Sequence, residues 1–341
     1  MIKTVGIVSL SSGILGEKLV KHELDLGLKR LKDYGLEVKF LPNALKGLDY
    51  LKKHPKGRAD DLIQAFKDED IDLILCAIGG DDTYRLLPYL FANQELEQVV
   101  KQKVFLGFSD TTINHLMLHK VGIKTFYGQS FLADICELDK EMLPYTEHYF
   151  RELLQTGRIS EIRPSHTWYE ERNDFSNNAL GTQRIAHTNL GFELLKGKSK
   201  FSGEILGGCL ESLYDIFDNS RYKDSAELCK RYQLFPSLEE WRGKILFLET
   251  SEEKPSPKQH RQMLEKLKET GIFSVINGLL VGKPQDECHY EAYKENLLEI
   301  IDIEIPIVYN LNIGHATPRA ILPFGYIADI DVEEQIIRFR Y

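Results

Sequence analysis

The chain has no apolar run near twenty residues, so no spanning helix is expected. A secretory leader is not expected either. The apolar stretch 5–10 follows a single early lysine, is too short, and is followed by serines, a glycine and a charged stretch rather than a small-residue cleavage site. Its five cysteines, Cys76, Cys136, Cys209, Cys229 and Cys288, are scattered and odd in number, with no C-x-x-C pair. That pattern excludes a disulfide framework and a zinc knuckle and suits a reducing compartment. No H-E-x-x-H, paired histidine or carboxylate cluster stands at ligand spacing, so neither a metal nor another cofactor is expected. A basic excess is missing too: 43 Lys and Arg face 52 Asp and Glu, a formal net charge of −9. Nucleic-acid backbones and anionic membrane surfaces are therefore disfavoured partners. These absences leave a soluble, acidic, cytoplasmic protein, without internal repeats or low-complexity tracts.

What is present is an ordinary globular composition, 43% hydrophobic and 28% charged, over 341 residues. That length suggests two domains. Apolar runs at 5–10, 37–41, 73–78, 104–108 and 125–127 predict strands. The stretches 17–34, 59–69, 83–91 and 111–120 carry apolar residues at helical spacing between them. Strand–helix alternation implies an α/β fold with a doubly wound parallel sheet, its site beyond the carboxyl ends of the strands. A helix at 145–155 closes this domain, set at 1–160. Residues 161–190 are polar and irregular and are expected to form a linker or mobile loop. A smaller C-terminal α/β domain, 191–341, resumes with strands at 201–206, 244–249, 275–281, 305–310 and 326–330, and helices at 210–217, 257–270 and 291–300.

In Gly107-Phe108-Ser109-Asp110-Thr111 a buried strand runs straight into a helix, which puts Ser109 on a strand-to-helix turn. A nucleophilic serine needs that exposure, with a backbone N–H beside it and a helix N-terminus favouring negative charge. The second glycine of G-x-S-x-G is absent, and a plain helix cap by Ser109 or Asp110 reads the pentapeptide as well. Gly79-Gly80-Asp81-Asp82-Thr83 ends another apolar strand. If the two strands are neighbours, the N–H groups of Gly80 and Asp110 form an oxyanion hole. The same turn differs at one position from the G-G-D-G-T phosphate turn of NAD kinase-like proteins, although a carboxylate now stands where phosphate would approach. Among ten histidines, His315 lies in a strand-end loop with Gly314 before it and Pro318 after it, a rigid platform for a working side chain. Glu249 closes the apolar run 244–249, where a carboxylate is costly unless paired or placed at a site. Glu211, opening a helix after Gly207-Gly208-Cys209-Leu210, is its competitor.

Together these segments resemble the LD-carboxypeptidase and microcin C immunity peptidase family of serine peptidases. The carriers are Gly79-Gly80, Gly107–Asp110, Gly207–Leu210, Ile245–Glu249, Gly278–Gly282 and Gly314–Gly325, in family order along nearly the whole chain. The resemblance implies a Ser109, Glu249, His315 triad, an oxyanion hole at Gly80 and Asp110, a site between the two domains, and a homodimer. Two departures stand out. Ala77-Ile78-Gly79-Gly80-Asp81 replaces the R-G-G-Y-G of cell-wall LD-carboxypeptidases, which favours the branch that cleaves aminoacyl-nucleotide conjugates. Cys209 stands where an asparagine is common. The expected substrate is a small peptide or an aminoacyl-nucleotide conjugate, contacted by Trp168, Cys209 and Glu211. The segment 165–178, with Trp168, Tyr169 and Phe175, is expected to close over it, Trp168 stacking on the base. Phosphoryl transfer at the GGDD turn and ligand binding without catalysis are the alternatives.

Overall fold

Strands form where continuous apolar runs can be covered on both faces. Thr4–Val8, Leu73–Cys76 and Thr125–Tyr127 are buried at every position, as a parallel sheet under helices requires. In the computed structural model, which describes residues 1–341, the first sheet has the order Glu37–Phe40, Thr4–Val8, Leu73–Cys76, Val104–Gly107, Thr125–Tyr127, all parallel. This is a doubly wound order. Its switch point lies between Thr4–Val8 and Leu73–Cys76, where such sheets open a crevice at the carboxyl ends.

The second sheet has eight strands. Lys200–Cys209, Ile245–Glu249, Gly278–Gly282 and Ile307–Leu311 run parallel at its centre. Glu193–Lys196 flanks them on one side. Ile327–Asp331, Ile336–Arg340 and Glu161–Ile162 flank them antiparallel on the other. Ile327–Asp331 alternates exposed and buried residues through Ile330, the period of a strand with one solvated face.

Several elements depart from the expectation. The predicted helix 83–91 is a tight turn, Thr83–Leu86, followed by a short helix, Leu87–Phe91. Glu193–Lys196, Ile336–Arg340 and the helix Ser225–Arg231 were not foreseen. The segment 161–190 is more regular than a linker. It supplies Glu161–Ile162 to the second sheet and folds Thr167–Tyr169 against Ala186–Thr188 as a hairpin. Buried Glu137 pins it, pairing with Arg172 at 2.5 Å and Arg184 at 2.7 Å.

One strand ties the halves together. Leu322–Phe324, far along the chain, adds antiparallel to Thr125–Tyr127 at the edge of the first sheet. The helix Thr112–Lys120, buried from Thr112 to Leu118, also reaches across: Thr112 Oγ1 accepts the Cys209 N–H at 2.9 Å. The start of this helix and the loop before Leu322–Phe324 therefore hold fixed positions relative to each other.

Candidate active site

Ser109 follows the Val104–Gly107 strand and begins the turn Ser109–Thr111 that leads into the helix. Its φ is +65°, a left-handed conformation that a non-glycine residue holds at some cost and that recurs at strained strand-to-helix turns. Gly79 makes room for it: a Cβ there would lie 2.7 Å from Ser109 Oγ. The loops after three parallel strands meet at this point. Ser12 N–H donates to the Gly79 carbonyl at 3.0 Å, and Ser11 Oγ donates to the Asp110 carboxylate at 2.5 Å.

His315 reaches in from the second half. Its Nε2 lies 3.1 Å from Ser109 Oγ, while Nδ1–H donates to Glu249 Oε2 at 2.7 Å. The His315 backbone N–H donates to the same carboxylate oxygen at 3.1 Å. The other oxygen of Glu249 accepts from the Tyr127 hydroxyl at 2.5 Å, so this carboxylate, 1% exposed, is satisfied on both sides. Gly314, at φ +101°, lets the histidine loop press on Glu249, whose carboxyl a Cβ would meet at 2.6 Å. Arg319 braces the loop by donating to the carbonyls of Gly314 at 2.6 Å and His315 at 3.0 Å. It is itself paired with buried Asp134 at 2.9 Å.

Burial alone would lower the His315 pKa, but Glu249 and Glu252 outweigh it and raise the value to about 10. Glu252, on the loop after Glu249, places Oε2 at 2.9 Å from His315 Nε2. Its pairing with His315 holds its own carboxyl down at about 2. Tyr127 and Arg319 escaped the sequence reading, although Arg319 sits inside the Gly314–Gly325 segment. Glu252 had no signal: Glu252-Glu253-Lys254 reads as a solvated charge run.

Ser109, His315, Gly79, Gly80, Phe108 and Glu252 line one cavity of about 610 Å³. Ile14, Leu19, Val20, Leu132, Leu138 and Phe175 supply much of its apolar wall. A larger hollow, about 780 Å³ between Arg30, Tyr34 and Arg151, holds none of these groups. Gly80 fronts the cavity next to Ser109, at φ +151°. The Asp110 carboxylate is held by Ser11 and by the Thr83 N–H at 3.0 Å.

The three expected substrate contacts lie elsewhere. Trp168 is buried, its ring stacked on His187 at 4.3 Å with the Lys283 ammonium at 5.2 Å. It belongs to the hairpin, and the aromatic residue of that segment on the cavity wall is Phe175. Cys209 is buried against Glu211, 3.4 Å from its carboxylate. Glu211 accepts the Ser251 N–H at 2.9 Å and its hydroxyl at 2.6 Å, so it braces the loop behind Glu249 and does not touch His315. Asp82 is also committed: buried Arg58 pairs with it at 2.5 Å. No three His, Cys, Asp or Glu side chains converge as a metal site.

Comparison with known proteins agrees in both halves. The LD-carboxypeptidase N-terminal domain matches residues 5–128, and the LD-carboxypeptidase C-terminal domain matches residues 202–330. A probable murein peptide carboxypeptidase of Bacillus subtilis is 29% identical, covering 97% of this chain and 90% of its own length. The microcin C7 self-immunity protein of Escherichia coli is 26% identical over 83% of this chain and 77% of its own. The crystal structure of an MccF-like protein from Streptococcus pneumoniae, in complex with AMP, is 71% identical. It superposes at a TM-score of 1.00 over 100% of this chain and 99% of that one. On both matches and the shared fold, the chain belongs to the LD-carboxypeptidase family of peptidases.

Proposed function

We propose that this chain is a serine peptidase or amidase in which Ser109 attacks, His315 moves the proton and Glu249 orients His315. The observation that carries the reading is the unbroken line Ser109 Oγ, His315 Nε2, His315 Nδ1, Glu249 Oε2, at 3.1 Å and 2.7 Å. In its neutral form His315 takes the Ser109 proton as Oγ bonds the substrate carbonyl carbon. The N–H groups of Gly80 and Asp110 are the proposed donors to the oxyanion. As the C–N bond breaks, His315 returns that proton to the leaving nitrogen, and water then releases the acyl group by the same route. Glu249 keeps Nδ1 protonated, so Nε2 is the atom that works.

The cavity supports one substrate class. Phe175 and the apolar part of a wall that also carries Glu23, Arg172 and Arg184 give a flat nucleoside a surface to pack on and its polar groups partners. The AMP complex of the 71% identical MccF-like protein supports the same choice. The reading is thus a cytoplasmic homodimer that cleaves aminoacyl-nucleotide conjugates, with muropeptides as the second candidate. Phosphoryl transfer at the GGDD turn is not favoured, because Asp82 is occupied by Arg58. One purified sample assayed against aspartyl-sulfamoyl adenosine and a muropeptide tetrapeptide tests the substrate class. Turnover of the nucleoside conjugate alone, or at least about tenfold higher kcat/KM for it, is expected. The reverse ranking makes the enzyme a cell-wall carboxypeptidase.

A further inference from the structure

The cavity at Ser109 also carries charge on its wall. Glu23, Glu137, Glu171, Arg172 and Arg184 all line it, and all but one of them answer one another. Glu137 pairs with Arg172 and Arg184. Glu171 pairs with Arg184 at 2.8 Å and accepts from the Gln285 amide at 3.0 Å. Glu23 is the exception. It is only 5% exposed, yet no donor bonds its carboxyl, and the nearest basic nitrogen, His22 Nε2, stands 4.0 Å away. A buried carboxyl without a donor is costly to keep. On a cavity wall, such a group is a place for a donor that a ligand brings.

What surrounds Glu23 narrows the kind of ligand. His22, its neighbour on the helix Lys21–Asp33, donates from Nε2–H to the Phe175 carbonyl at 2.9 Å. The residue beside Glu23 therefore holds the segment that carries the Phe175 ring. Leu19, Val20 and Leu138 are the apolar residues of the same wall. An aromatic face and a buried, unanswered carboxyl are thus tied together in one cavity. A heteroaromatic ring needs that pair, one for its face and one for its edge.

Resting on the aminoacyl-nucleotide reading above, we propose that Glu23 reads the nucleobase, its two carboxyl oxygens meeting the exocyclic amine and the adjacent ring nitrogen. Guanine offers two donors there, N1–H and N2–H, which the ionised carboxylate accepts. Adenine offers one donor, N6–H, and one acceptor, N1, which the neutral acid matches. Both forms of Glu23 are accessible near neutrality. Burial first, and then the charge of Glu137, raise its pKa to about 7. The groups around it are His22 on its own helix, Cys136 and Glu137 on the turn after Phe131–Ile135, and Arg172 and Arg184 on the segment 161–190. Burial keeps the Cys136 thiol neutral, and both arginines are held by Glu137. Below about 7 Glu23 is therefore the acid that suits adenine, and above it the carboxylate that suits guanine.

The test measures kcat/KM of wild type and Glu23→Gln below and above pH 7 on three substrates. These are aspartyl-sulfamoyl adenosine, its guanosine analogue, and its purine riboside analogue, which lacks the amine. His315 serves all three, so its own titration cancels in their ratios. In wild type the adenosine-to-guanosine ratio should fall as pH rises through about 7. Glu23→Gln presents one acceptor and one donor at every pH. Above pH 7 its ratio should stand about 10- to 100-fold above that of wild type, the size of one charged hydrogen bond, and it should no longer vary with pH. The purine riboside analogue should respond least to the substitution. A wild-type ratio that is flat in pH, or an equal loss on all three conjugates in Glu23→Gln, overturns the inference and leaves the aminoacyl-nucleotide reading in place. The wild-type ratio needs no variant, so it decides even where Glu23→Gln fails to fold. If wild type turns over none of the three, the aminoacyl-nucleotide reading itself fails and this inference falls with it.

Discussion

Glu249 and Glu211 are both buried carboxylates near the His315 loop, and their partners separate them. Glu249 accepts from His315 and Tyr127, whereas Glu211 accepts from Ser251. Glu249→Gln should lower kcat steeply, by about 10³-fold or more, because the imidazole loses its tautomer lock and counter-charge. Glu211→Gln should cost stability with a smaller change in kcat. Steady-state kinetics on both variants decides, and a crippled Glu211→Gln beside a mild Glu249→Gln reverses the assignment. The pH dependence has a definite sign. In the proposed mechanism the neutral imidazole is the base, so kcat/KM of the free enzyme should rise with pH, its inflection displaced from the ordinary histidine value of 6.5 towards about 10. The same imidazolium stabilises the fold fully below 6.5, and that contribution fades as pH rises through the folded value. An inflection near pH 6.5 would show that the two carboxylates do not both act on His315.

At the scale of elements, legibility followed periodicity. The strands of the first sheet are continuous apolar runs between helical stretches, and Ser109 and Glu249 stand where such runs end, so both could be read. Leu322–Phe324 could not, because three residues including a proline carry no period and pair with a strand nearly two hundred positions away. The segment 161–190 misled for a similar reason. Its order comes from Arg172 and Arg184 pairing with Glu137, not from an apolar pattern. The aromatic residues of that segment therefore divide their work. Phe175→Ala should raise KM for the nucleoside conjugate several-fold, since stacking on a base contributes about 1–3 kcal/mol. Trp168→Ala should instead destabilise the hairpin, with a loss of about 3–5 kcal/mol for a buried tryptophan. A KM effect larger for Trp168→Ala than for Phe175→Ala would restore Trp168 as the stacking residue.

The whole molecule is built on two large sheets that cannot be separated without breaking the site. One buried apolar cluster runs through both halves, and Leu322, 0% exposed, lies in the strand that joins them. Leu322→Ala should cost about 2–5 kcal/mol. Urea unfolding followed by tryptophan fluorescence, from Trp168 and Trp241, should coincide with unfolding followed by far-UV circular dichroism. Two separated transitions would mean that the halves fold independently. The same architecture brings Ser109 from one sheet to within 3.1 Å of His315 from the loop after the other, and the proposed hydrolysis depends on that meeting. The most direct measurement is kcat/KM of Ser109→Ala on aspartyl-sulfamoyl adenosine, with circular dichroism confirming an intact fold. A loss on the order of 10⁴–10⁶ is expected, and activity within about tenfold of wild type would contradict Ser109 as the nucleophile.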